Sequence, residues 1–347
     1  MRLLFVKLKH IGDSLLLTPT VTAARAGYPE AEIWVVARKG CEGILAGCTA
    51  IDKVLTAAAP ERKNRSWHNW WTDGRLIAEL RRERFDYAFE LSDGDRGRWL
   101  CSLSGARNCG TTVFPRPLPW WWRARFKKRS RFNWLAAHRV EKDFFTVNDC
   151  LPIGSEAPRL QFERSRTQSW SVAENLSEFA VLHAGTRWHL KRWALDKWIE
   201  VGRNLLAELP HLIISSGPDP ADIREADQMQ AVLGDRAIST LGLLNWPQLA
   251  GLLYRSRLFV GVDTAVMHLA AACQCPSVAI FGPSFETAWR PWRVTHQVVT
   301  PRNFPTPITD PAFEWKVEQR KTEDVIVSDV IEACRRLLTL APAARPV

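Results

Sequence analysis

Polar side chains that can hold a diphosphate follow a short β-branched run near residue 260. In the segment 261–270, GVDTAVMHLA, Asp263 and Thr264 stand before an alanine-rich helical pattern, and His268 stands within it. The first turn of a helix has unpaired N–H groups and the positive end of the helix dipole, so a diphosphate can bind at 264–267 while Asp263 contacts hydroxyl groups. The same residues also suit an ordinary turn, with Asp263 as the helix N-cap and His268 packed against a sheet.

A second turn of this kind lies near the N-terminus. The segment 3–19, LLFVKLKHIGDSLLLTP, joins an apolar strand pattern to a helix that opens at Asp13 and Ser14, with Gly12 before them. Glycine lets the backbone approach a ligand closely, and Asp13 can present a carboxylate at the carboxyl end of a strand, where open α/β sheets bind ligands. Asp13 can equally be a simple helix cap. The dinucleotide fingerprint G-x-G-x-x-G does not occur at this turn.

Further polar turns follow strand patterns in the C-terminal half. They lie at 183–187, 215–219 and 281–284. Thr186 can hydrogen-bond a phosphate, and Lys191 can neutralise negative charge that develops on it, whereas Arg192 also suits a merely solvent-exposed position. Because the carboxyl ends of parallel strands share one edge of a sheet, we expect these turns to build one site.

These turns need a parallel sheet covered by helices, and the chain alternates between strand and helix patterns accordingly. The predicted strands are 3–7, 32–36, 87–91, 179–184, 212–216, 258–262 and 277–281, and the predicted helices are 15–26, 73–84, 96–103, 196–208, 221–233, 247–254, 266–273 and 324–338. A polar stretch at 151–171 separates two such runs. We therefore predict two Rossmann-like domains, 1–165 and 166–347, with a ligand cleft between them, and the final helix can pack back on the N-terminal domain.

The composition is that of an ordinary soluble α/β protein. With 347 residues, 46% of them hydrophobic and 24% charged, the chain is long enough for two cores. No apolar run approaches the ~20 residues that span a bilayer, and Lys7, Lys9 and His10 interrupt the N-terminal apolar run, so we expect neither a membrane anchor nor export. The eight cysteines are scattered, and the spacing at 273–275 suits neither a zinc site nor a thioredoxin site, so we expect reduced thiols.

The net charge of +10 is partly concentrated in the segment 115–129, PRPLPWWWRARFKKR. Such interleaved cations and aromatics can bind nucleic acid through phosphate contacts and stacking, or lie on an anionic membrane, where each cation contributes about 1 kcal/mol. A solvated basic loop with its tryptophans in the core is the plainer alternative. Since three consecutive tryptophans cannot all face inward on one short element, we expect at least one to be exposed.

Taken together, the segments 6–19, 263–272 and 281–284 resemble the ADP-heptose:lipopolysaccharide heptosyltransferases of glycosyltransferase family 9. Within that family, 191–193, 216–219 and 289–292 are most similar to the lipopolysaccharide core heptosyltransferase III branch, which adds a third, side-branch heptose. The resemblance implies a GT-B fold, in which two Rossmann-like domains with parallel sheets face a central cleft. The N-terminal domain would bind the acceptor and the C-terminal domain the nucleotide-sugar donor.

The resemblance also implies the reaction and its place. The enzyme would move a heptose from ADP-heptose to an inner-core heptose of lipopolysaccharide on lipid A, with inversion and without a metal or other cofactor. It would be cytoplasmic and peripheral on the cytoplasmic face of the inner membrane, with no nucleic acid partner.

Carried over residue by residue, the resemblance makes Asp13 the general base and Lys191 the second catalytic residue. The implied donor-binding residues are Thr186, Lys191, Gly217, Asp222, Leu244, Asp263, Thr264, Ala265 and His268. The implied acceptor-binding residues are Gly12, Trp120, Arg123, Arg125, Lys127 and Lys128.

Two positions depart from the family pattern. Relatives have a glycine where this chain has Ala265, which still offers its backbone N–H to a phosphate. The carboxylate expected shortly after Gly217 falls on Ala221 or on its neighbour Asp222, to which we assign a ribose contact.

One further motif can be mistaken for a metal site. The tripeptide 93–95, DGD, matches the Asp-x-Asp metal–diphosphate motif of a different glycosyltransferase fold. It lies in the half that the resemblance assigns to the acceptor, and Asp93 or Asp95 can simply cap the following helix. We expect no metal site there.

Two other functions stay open on the sequence. One is a GT-B glycosyltransferase that uses a different nucleotide sugar, such as a UDP-sugar, which differential stabilisation by ADP, GDP and UDP would reveal. The other is a basic, tryptophan-rich binder of nucleic acid or membrane without enzymatic activity, for which salt-sensitive binding to DNA of any sequence would speak.

Overall fold

The computed structural model describes residues 1–58, 67–115, 117–302 and 320–340. The chain divides into two compact units, Met1–Glu163 and Arg164–Val347. Each unit is a parallel β-sheet with helices, so the predicted α/β class is confirmed. Arg116, the second residue of the basic segment 115–129, lies outside the described residues.

The N-terminal unit is built on six strands. They are β1 Arg2–Lys7, β2 Glu32–Arg38, β3 Lys53–Ala57, β4 Tyr87–Glu90, β5 Asn108–Thr112 and β6 Lys128–Ser130. Its described helices are α1 Ile11–Leu16, α2 Thr18–Gly27, α3 Trp67–Arg82, α4 Asp95–Leu103, α5 Trp120–Arg125 and α6 Arg139–Asn148. The strand order is β3-β2-β1-β4-β5-β6, with Leu3 aligned to Ile33 on one side and to Tyr87 on the other. Because β1 lies in the middle of a covered sheet, its run is apolar and buried on both faces.

The helical pattern predicted at 15–26 forms two helices, α1 and α2. Leu17 is at once the C-cap of α1 and the N-cap of α2, and Pro19 stands in the first turn of α2. Proline has no backbone N–H to donate to the preceding turn but fits the start of a helix, which explains the break. As a result Asp13 belongs to a separate helix of six residues at the end of β1.

The C-terminal unit repeats this design. Its strands are β7 Phe179–His183, β8 His211–Ile214, β9 Ala237–Ser239, β10 Leu258–Val262, β11 Ser277–Ile280 and β12 His296–Val299. Its described helices are α7 Leu195–Glu208, α8 Pro220–Leu233, α9 Trp246–Arg255, α10 Ala265–Ala272, α11 Glu286–Trp289 and α12 Val327–Leu340. The strand order is β12-β11-β10-β7-β8-β9.

Counted from the start of each unit, both sheets have the order 3-2-1-4-5-6. In such a parallel sheet the direction in which successive strands are added reverses between the first and fourth strands, and ligands bind outside the carboxyl ends of these strands. The switch points are therefore β1 with β4 in one unit and β7 with β10 in the other. Three of the turns that the sequence singled out follow β1, β7 and β10, and those at 215–219 and 281–284 follow the strands β8 and β11 of the same sheet as β7 and β10.

The final helix, α12, buries its apolar face in the C-terminal unit. Val330, Ala333, Cys334 and Leu337 join the core formed by that unit's sheet and α7. Their spacing follows the helical period and gives one continuous apolar stripe. The apolar face that we allowed to pack on the N-terminal half is thus used within the C-terminal unit.

Candidate functional site

Lys191 and Asp263 form an ion pair at the carboxyl edge of the C-terminal sheet. Asp263 directly follows β10, whereas Lys191 ends a short 3-10 turn between β7 and α7. The Lys191 Nζ lies 2.6 Å from Asp263 Oδ2 and also donates to the Asp263 carbonyl oxygen over 3.1 Å. Since β7 and β10 flank the switch point, the ammonium stands where sheets of this strand order usually bind ligands.

Helix α10 has Thr264, not Asp263, as its N-cap. The Asp263 carboxylate bonds to Lys191 instead, so the interpretation of Asp263 as a simple helix cap is wrong. Within the part of the chain that the structure describes, Thr264 Oγ1 is buried without a hydrogen-bond partner. The first-turn N–H groups, from Ala265 onward, have no intrahelical acceptor and carry the positive end of the dipole. This end of α10 can therefore bind an anionic group beside the Lys191 ammonium.

His268 lies inside α10, one turn after the N-cap. Its side chain is 3% exposed, and its Nε2 is 3.9 Å from Asp263 Oδ1. Its ring centroid is 6.3 Å from that of Trp289. The imidazole therefore stands beside the carboxylate to which the sequence assigns the donor hydroxyls.

The Asp222 carboxylate packs against two glycine turns. Its Oδ2 lies 2.9 Å from where a Cβ on Gly185 would be and 3.6 Å from where one on Gly217 would be, so a side chain at 185 would displace it. Arg192 donates to Asp222 Oδ1 over 3.0 Å and is therefore more than a surface cation. Burial raises the pKa of Asp222 above its usual range, Asp219 adds to this, and Arg192 opposes it.

Two other predicted donor residues lie on turns of the C-terminal unit. Thr186 is 7% exposed, and its hydroxyl accepts the Trp188 N–H over 3.3 Å. Leu244 is half-buried in the turn that follows β9. In that turn Gly242 has φ +67°, and a Cβ there would lie 2.5 Å from the Gly217 carbonyl oxygen. The Leu244 turn is thus packed against the Gly217 turn.

His183, the last residue of β7, is buried beside these turns. Its Nδ1 lies 2.8 Å from Ser215 Oγ and 3.0 Å from the Ser215 carbonyl oxygen. Burial lowers the pKa of His183 to about 4, although hydrogen bonds to Ser215 and Gly185 oppose this. The imidazole is therefore neutral at neutral pH and acts as a structural link between the β7 and β8 turns.

The segment 320–322 is a contributor to this edge that sequence reasoning missed. The buried Arg320 guanidinium donates to the Gly282 and Ser284 carbonyl oxygens over 2.9 and 2.5 Å, and to Glu286 Oε2 over 2.7 Å. Two residues later, the Thr322 hydroxyl donates to the Leu190 carbonyl oxygen over 3.1 Å. One short segment thus fixes both the turn after β11 and the turn that carries Lys191.

In the N-terminal unit, Asp13 lies in the first turn of α1, after His10 as the N-cap. Its Oδ2 accepts the His10 backbone N–H over 3.2 Å, as in a capping box. The expectation that the helix opens at Asp13 is therefore wrong, because the helix starts at Ile11. Asp13 and Gly12 are both half-buried. The carboxylate is held by one backbone bond and stands at the carboxyl end of β1.

A group of buried charges surrounds the same switch point. Lys7, which ends β1, donates to both carboxylate oxygens of Asp143 over 2.6 and 2.9 Å. Asp93, in the turn after β4, pairs with Lys142 and lies 3.5 Å from Lys9 Nζ. Burial alone would raise the pKa of Asp93, but the three lysines lower it below its usual value.

The Asp-x-Asp tripeptide has a structural role. The N-cap of α4 is Gly94, so neither Asp93 nor Asp95 caps this helix through its side chain, contrary to the simple alternative. Asp95 instead accepts the Trp122 indole N–H over 3.1 Å and an Arg98 N–H over 3.0 Å. Among the described residues, no three His, Cys, Asp or Glu side chains are grouped closely enough to hold a metal ion.

The basic segment forms α5 and the edge strand β6. As expected, the three tryptophans differ in exposure: Trp120 is 77% exposed and Trp121 55%, whereas Trp122 is 4% exposed. Arg125 donates to the Ser102 and Ala106 carbonyl oxygens at the end of α4, over 3.4 and 2.6 Å. Arg125 therefore has a structural role in addition to the acceptor contact that the resemblance implies.

The exposed aromatic surface includes a residue that sequence reasoning missed. Trp99 on α4 is 54% exposed, and its ring centroid lies 4.9 Å from that of Trp122. One turn later, Leu103 is 37% exposed. Exposed cations of the same segment follow at Arg123, Lys127, Lys128 and Arg129. In the ranges that the structure describes, no helix is long and apolar enough to cross a bilayer.

Comparison with known proteins places this chain in a family. A family model described as glycosyltransferase family 9 (heptosyltransferase) matches residues 74–310. Lipopolysaccharide heptosyltransferase 3 of Escherichia coli is 26% identical over 298 residues, which cover 81% of this chain and 83% of that protein. Lipopolysaccharide heptosyltransferase 1 of E. coli K12 is 25% identical over 305 residues, with 82% and 88% coverage.

The solved structures agree in fold. An E. coli heptosyltransferase solved with ADP superposes with a TM-score of 0.78 at 16% identity, over 97% of this chain and 100% of that one. The expected GT-B type of fold is confirmed, since each of the two α/β units has a sheet of parallel strands. From the family match and this architecture we conclude that the chain is a glycosyltransferase and belongs to glycosyltransferase family 9, the heptosyltransferases.

Proposed function

We propose that this enzyme is an inverting, metal-independent heptosyltransferase of lipopolysaccharide core biosynthesis, which transfers a heptose from ADP-heptose to an inner-core heptose on lipid A. The observation that carries the proposal is the Lys191–Asp263 pair beside the start of α10. An ammonium and a helix N-terminus suit the diphosphate of a nucleotide-diphosphate sugar, and the adjacent carboxylate suits the hydroxyls of its sugar. The relatives named above are lipopolysaccharide heptosyltransferases, and the related structure was solved with ADP.

On the donor side, Lys191 neutralises the departing diphosphate, together with the first-turn N–H groups of α10. Preorganised positive charge of this kind stabilises the transition state because the protein does not have to reorganise as negative charge develops. Thr186 hydrogen-bonds the phosphates, and Asp263, oriented by Lys191, accepts from sugar hydroxyls. Asp222 contacts the ribose, while Gly217 and Leu244 shape the nucleoside site and His268 completes the sugar pocket.

On the acceptor side, Asp13 is the general base. Inversion at an anomeric carbon needs a base on the attacking hydroxyl while the diphosphate leaves from the opposite face. A carboxylate near a helix start is a weak base, but the hydroxyl becomes acidic only as the new bond forms, so correct positioning suffices. Gly12 leaves room beside the backbone for the acceptor.

We further propose that the acceptor is the second inner-core heptose, so that the enzyme adds the third heptose. The segments 191–193, 216–219 and 289–292 support this, as does the similarity to lipopolysaccharide heptosyltransferase 3. The exposed tryptophans of α5, with Arg123, Lys127 and Lys128, engage the phosphorylated acceptor or its membrane, which makes the enzyme peripheral on the cytoplasmic face of the inner membrane.

The test is ADP release from ADP-heptose with a graded set of lipopolysaccharide-core acceptors. We expect turnover only with acceptors that carry two inner-core heptoses, and product analysis should show a single added side-branch heptose. Turnover with an acceptor that lacks heptose would reassign the enzyme to an earlier step.

Two further measurements test the donor and the chemistry. ADP should raise the melting temperature far more than GDP or UDP, because only the preferred nucleotide binds the native state strongly. Activity should be unchanged in excess chelator, since Lys191 and α10 supply the positive charge. An absolute requirement for magnesium or manganese, restored by titration, would overturn the metal-independent mechanism.

A further inference from the structure

Among the described residues at the switch point of the N-terminal unit, Lys7 and Asp143 form the most deeply buried ion pair. Lys7 is 5% exposed and Asp143 1%, and the ammonium donates to both carboxylate oxygens over 2.6 and 2.9 Å. The pair joins the end of β1 to α6, which also packs against α1. Removing only one partner of such a pair leaves an uncompensated buried charge, which is strongly unfavourable.

Other carboxylates compete for the Lys7 ammonium. Burial lowers the pKa of Lys7, but Asp143, then Asp13 and then Asp93 raise it, and the net effect is above the usual value. Asp13 is close at hand, because it lies in the first turn of α1, the element that follows Lys7 in the chain and packs against the helix that carries Asp143. Asp93 is already paired with Lys142. The charged groups that face the pair are Asp13 on α1, Asp93 after β4, Lys142 on α6 and, beyond Asp93, Lys9.

We propose that Asp143 is a positioning residue that keeps Asp13 available as the general base, because it accepts both hydrogen bonds from Lys7 and so prevents that ammonium from pairing with Asp13. This inference rests on the proposed role of Asp13. A base that is itself in a salt bridge is weaker and holds its carboxylate toward the cation rather than toward the acceptor hydroxyl. Asp143 therefore acts on catalysis only through Lys7.

The decisive variants are Asp143→Asn and the double substitution Lys7→Met with Asp143→Leu. The first leaves the buried ammonium without its partner, so Lys7 turns to Asp13. The second removes both charges and fills the space with apolar side chains, a replacement that buried ion pairs often tolerate. If Asp143→Asn does not fold, the double variant still tests the idea, because a folded double variant with kcat at least ~10-fold below wild type would show that Asp13 needs the pair itself and not only protection from Lys7.

For Asp143→Asn we expect kcat to fall at least ~10-fold with KM for ADP-heptose unchanged, as for loss of a well-placed base. The acid limb of its kcat–pH profile should move to lower pH, since a general base that pairs with a cation binds its proton less tightly. The double variant should recover most of the wild-type kcat and its profile. A double variant as slow as Asp143→Asn would overturn the proposal and show that Lys7 itself is needed.

Glu79→Gln is the matched control, because Glu79 pairs with Lys53 at the surface of the same unit. It should leave kcat and its pH profile unchanged. If Asp143→Asn keeps the wild-type profile while Asp13→Asn is inactive, only this inference fails. If Asp13→Asn is itself active, the proposed function of Asp13 fails instead.

Discussion

At the scale of single residues, Asp13 combines a structural contact with its proposed chemistry. Its carboxylate accepts the His10 N–H in a capping box, so removal of the carboxylate should lower the stability of the protein even without any role in catalysis. Asparagine keeps an acceptor oxygen at the same place but cannot take a proton. Comparison of the Asn and Ala variants therefore distinguishes the contribution of Asp13 to the helix cap from its contribution as a general base.

We expect both Asp13→Asn and Asp13→Ala to lower kcat at least ~10²-fold, as is typical of losing a general base. Binding of ADP, followed by calorimetry, should change little because Asp13 belongs to the N-terminal unit. Only the Ala variant should also melt at a lower temperature. Near-normal turnover by Asp13→Asn would leave Asp13 as a helix cap alone.

His183 gives the stability of the protein a defined pH dependence. Its pKa is about 4 in the folded chain against 6.5 when unperturbed, so folding is favoured above pH 6.5 and this advantage is lost as the pH falls from 6.5 toward 4. Between pH 7 and pH 5 this residue should lower the free energy of unfolding by about 2 kcal/mol. Urea titrations at the two pH values should show that loss in the wild type and a smaller one in His183→Asn. Equal losses would mean that folding does not lower the pKa of His183.

At the scale of elements, the turns that we assign to the donor are held by the segment 320–322 as well as by their own strands. Arg320 satisfies two carbonyl oxygens and one carboxylate from a buried position. Its loss leaves those acceptors unpaired near the turn after β11. The segment, which precedes α12 in the chain, thus contacts turns that carry residues assigned to the donor under our proposal.

We expect Arg320→Ala to lower the free energy of unfolding by about 3 kcal/mol, in the range for breaking a buried charged contact. It should also weaken ADP binding, since the turns after β7 and β11 lose a common support. Chemical denaturation and calorimetry measure the two effects. The control is Arg302→Ala, because Arg302 pairs with Asp329 at the surface and should change neither. An Arg320→Ala protein with wild-type ADP affinity would show that the donor turns are stable without this support.

Elements with strong local patterns could be predicted from the sequence, and those without them could not. The β-branched and apolar runs of β1, β7 and β10 predicted buried central strands. The strands β6 and β9 have only three residues each, too few to show a period. Helix α6 was missed although Val140, Phe144 and Val147 are spaced at helical intervals and buried, so that signal was present in the sequence.

The contacts within the site were harder to predict than its turns. The sequence singled out Asp13, Lys191 and Asp263 from their turns, but nothing in a single sequence pairs Lys191 with Asp263. Lys7 and Asp143 are 136 positions apart, so their contact follows only from the sheet order and the packing of α6. Arg320 was missed for the same reason, because its partners are carbonyl oxygens, which any residue supplies.

At the scale of the whole molecule, the proposed function gives part of the excess of positive charge a role in binding the acceptor or its membrane. Trp120 and Trp121 of α5 and Trp99 of α4 present indole rings to solvent, and exposed cations follow α5 along the chain. Indole rings favour the headgroup region of a bilayer, and cations add an attraction that salt screens. Arg125 is bound to the end of α4, so it should be left intact in any test of this surface.

We expect replacement of Arg123, Lys127 and Lys128 by Gln to weaken binding to vesicles that contain anionic lipid and to flatten its salt dependence. Flotation or sedimentation with vesicles of graded anionic content measures this, while ADP binding should stay as it is. Gln at Arg203 and Arg224, exposed cations of the C-terminal unit, is the control and should leave vesicle binding intact. If the first variant binds vesicles and acceptor like the wild type, the segment is only a solvated basic surface.

The burial of every cysteine gives the protein a practical property. All eight cysteines are buried and outside any disulfide, and burial raises the pKa of Cys109 to about 11 and those of Cys150 and Cys334 to about 12. Because the thiolate is the reactive form, the native protein should react slowly with maleimides and iodoacetamide. A single cysteine introduced at the exposed Arg129 would then be labelled almost alone, without removing any native thiol. A fluorophore there could report on the polarity around the basic segment while the enzyme turns over.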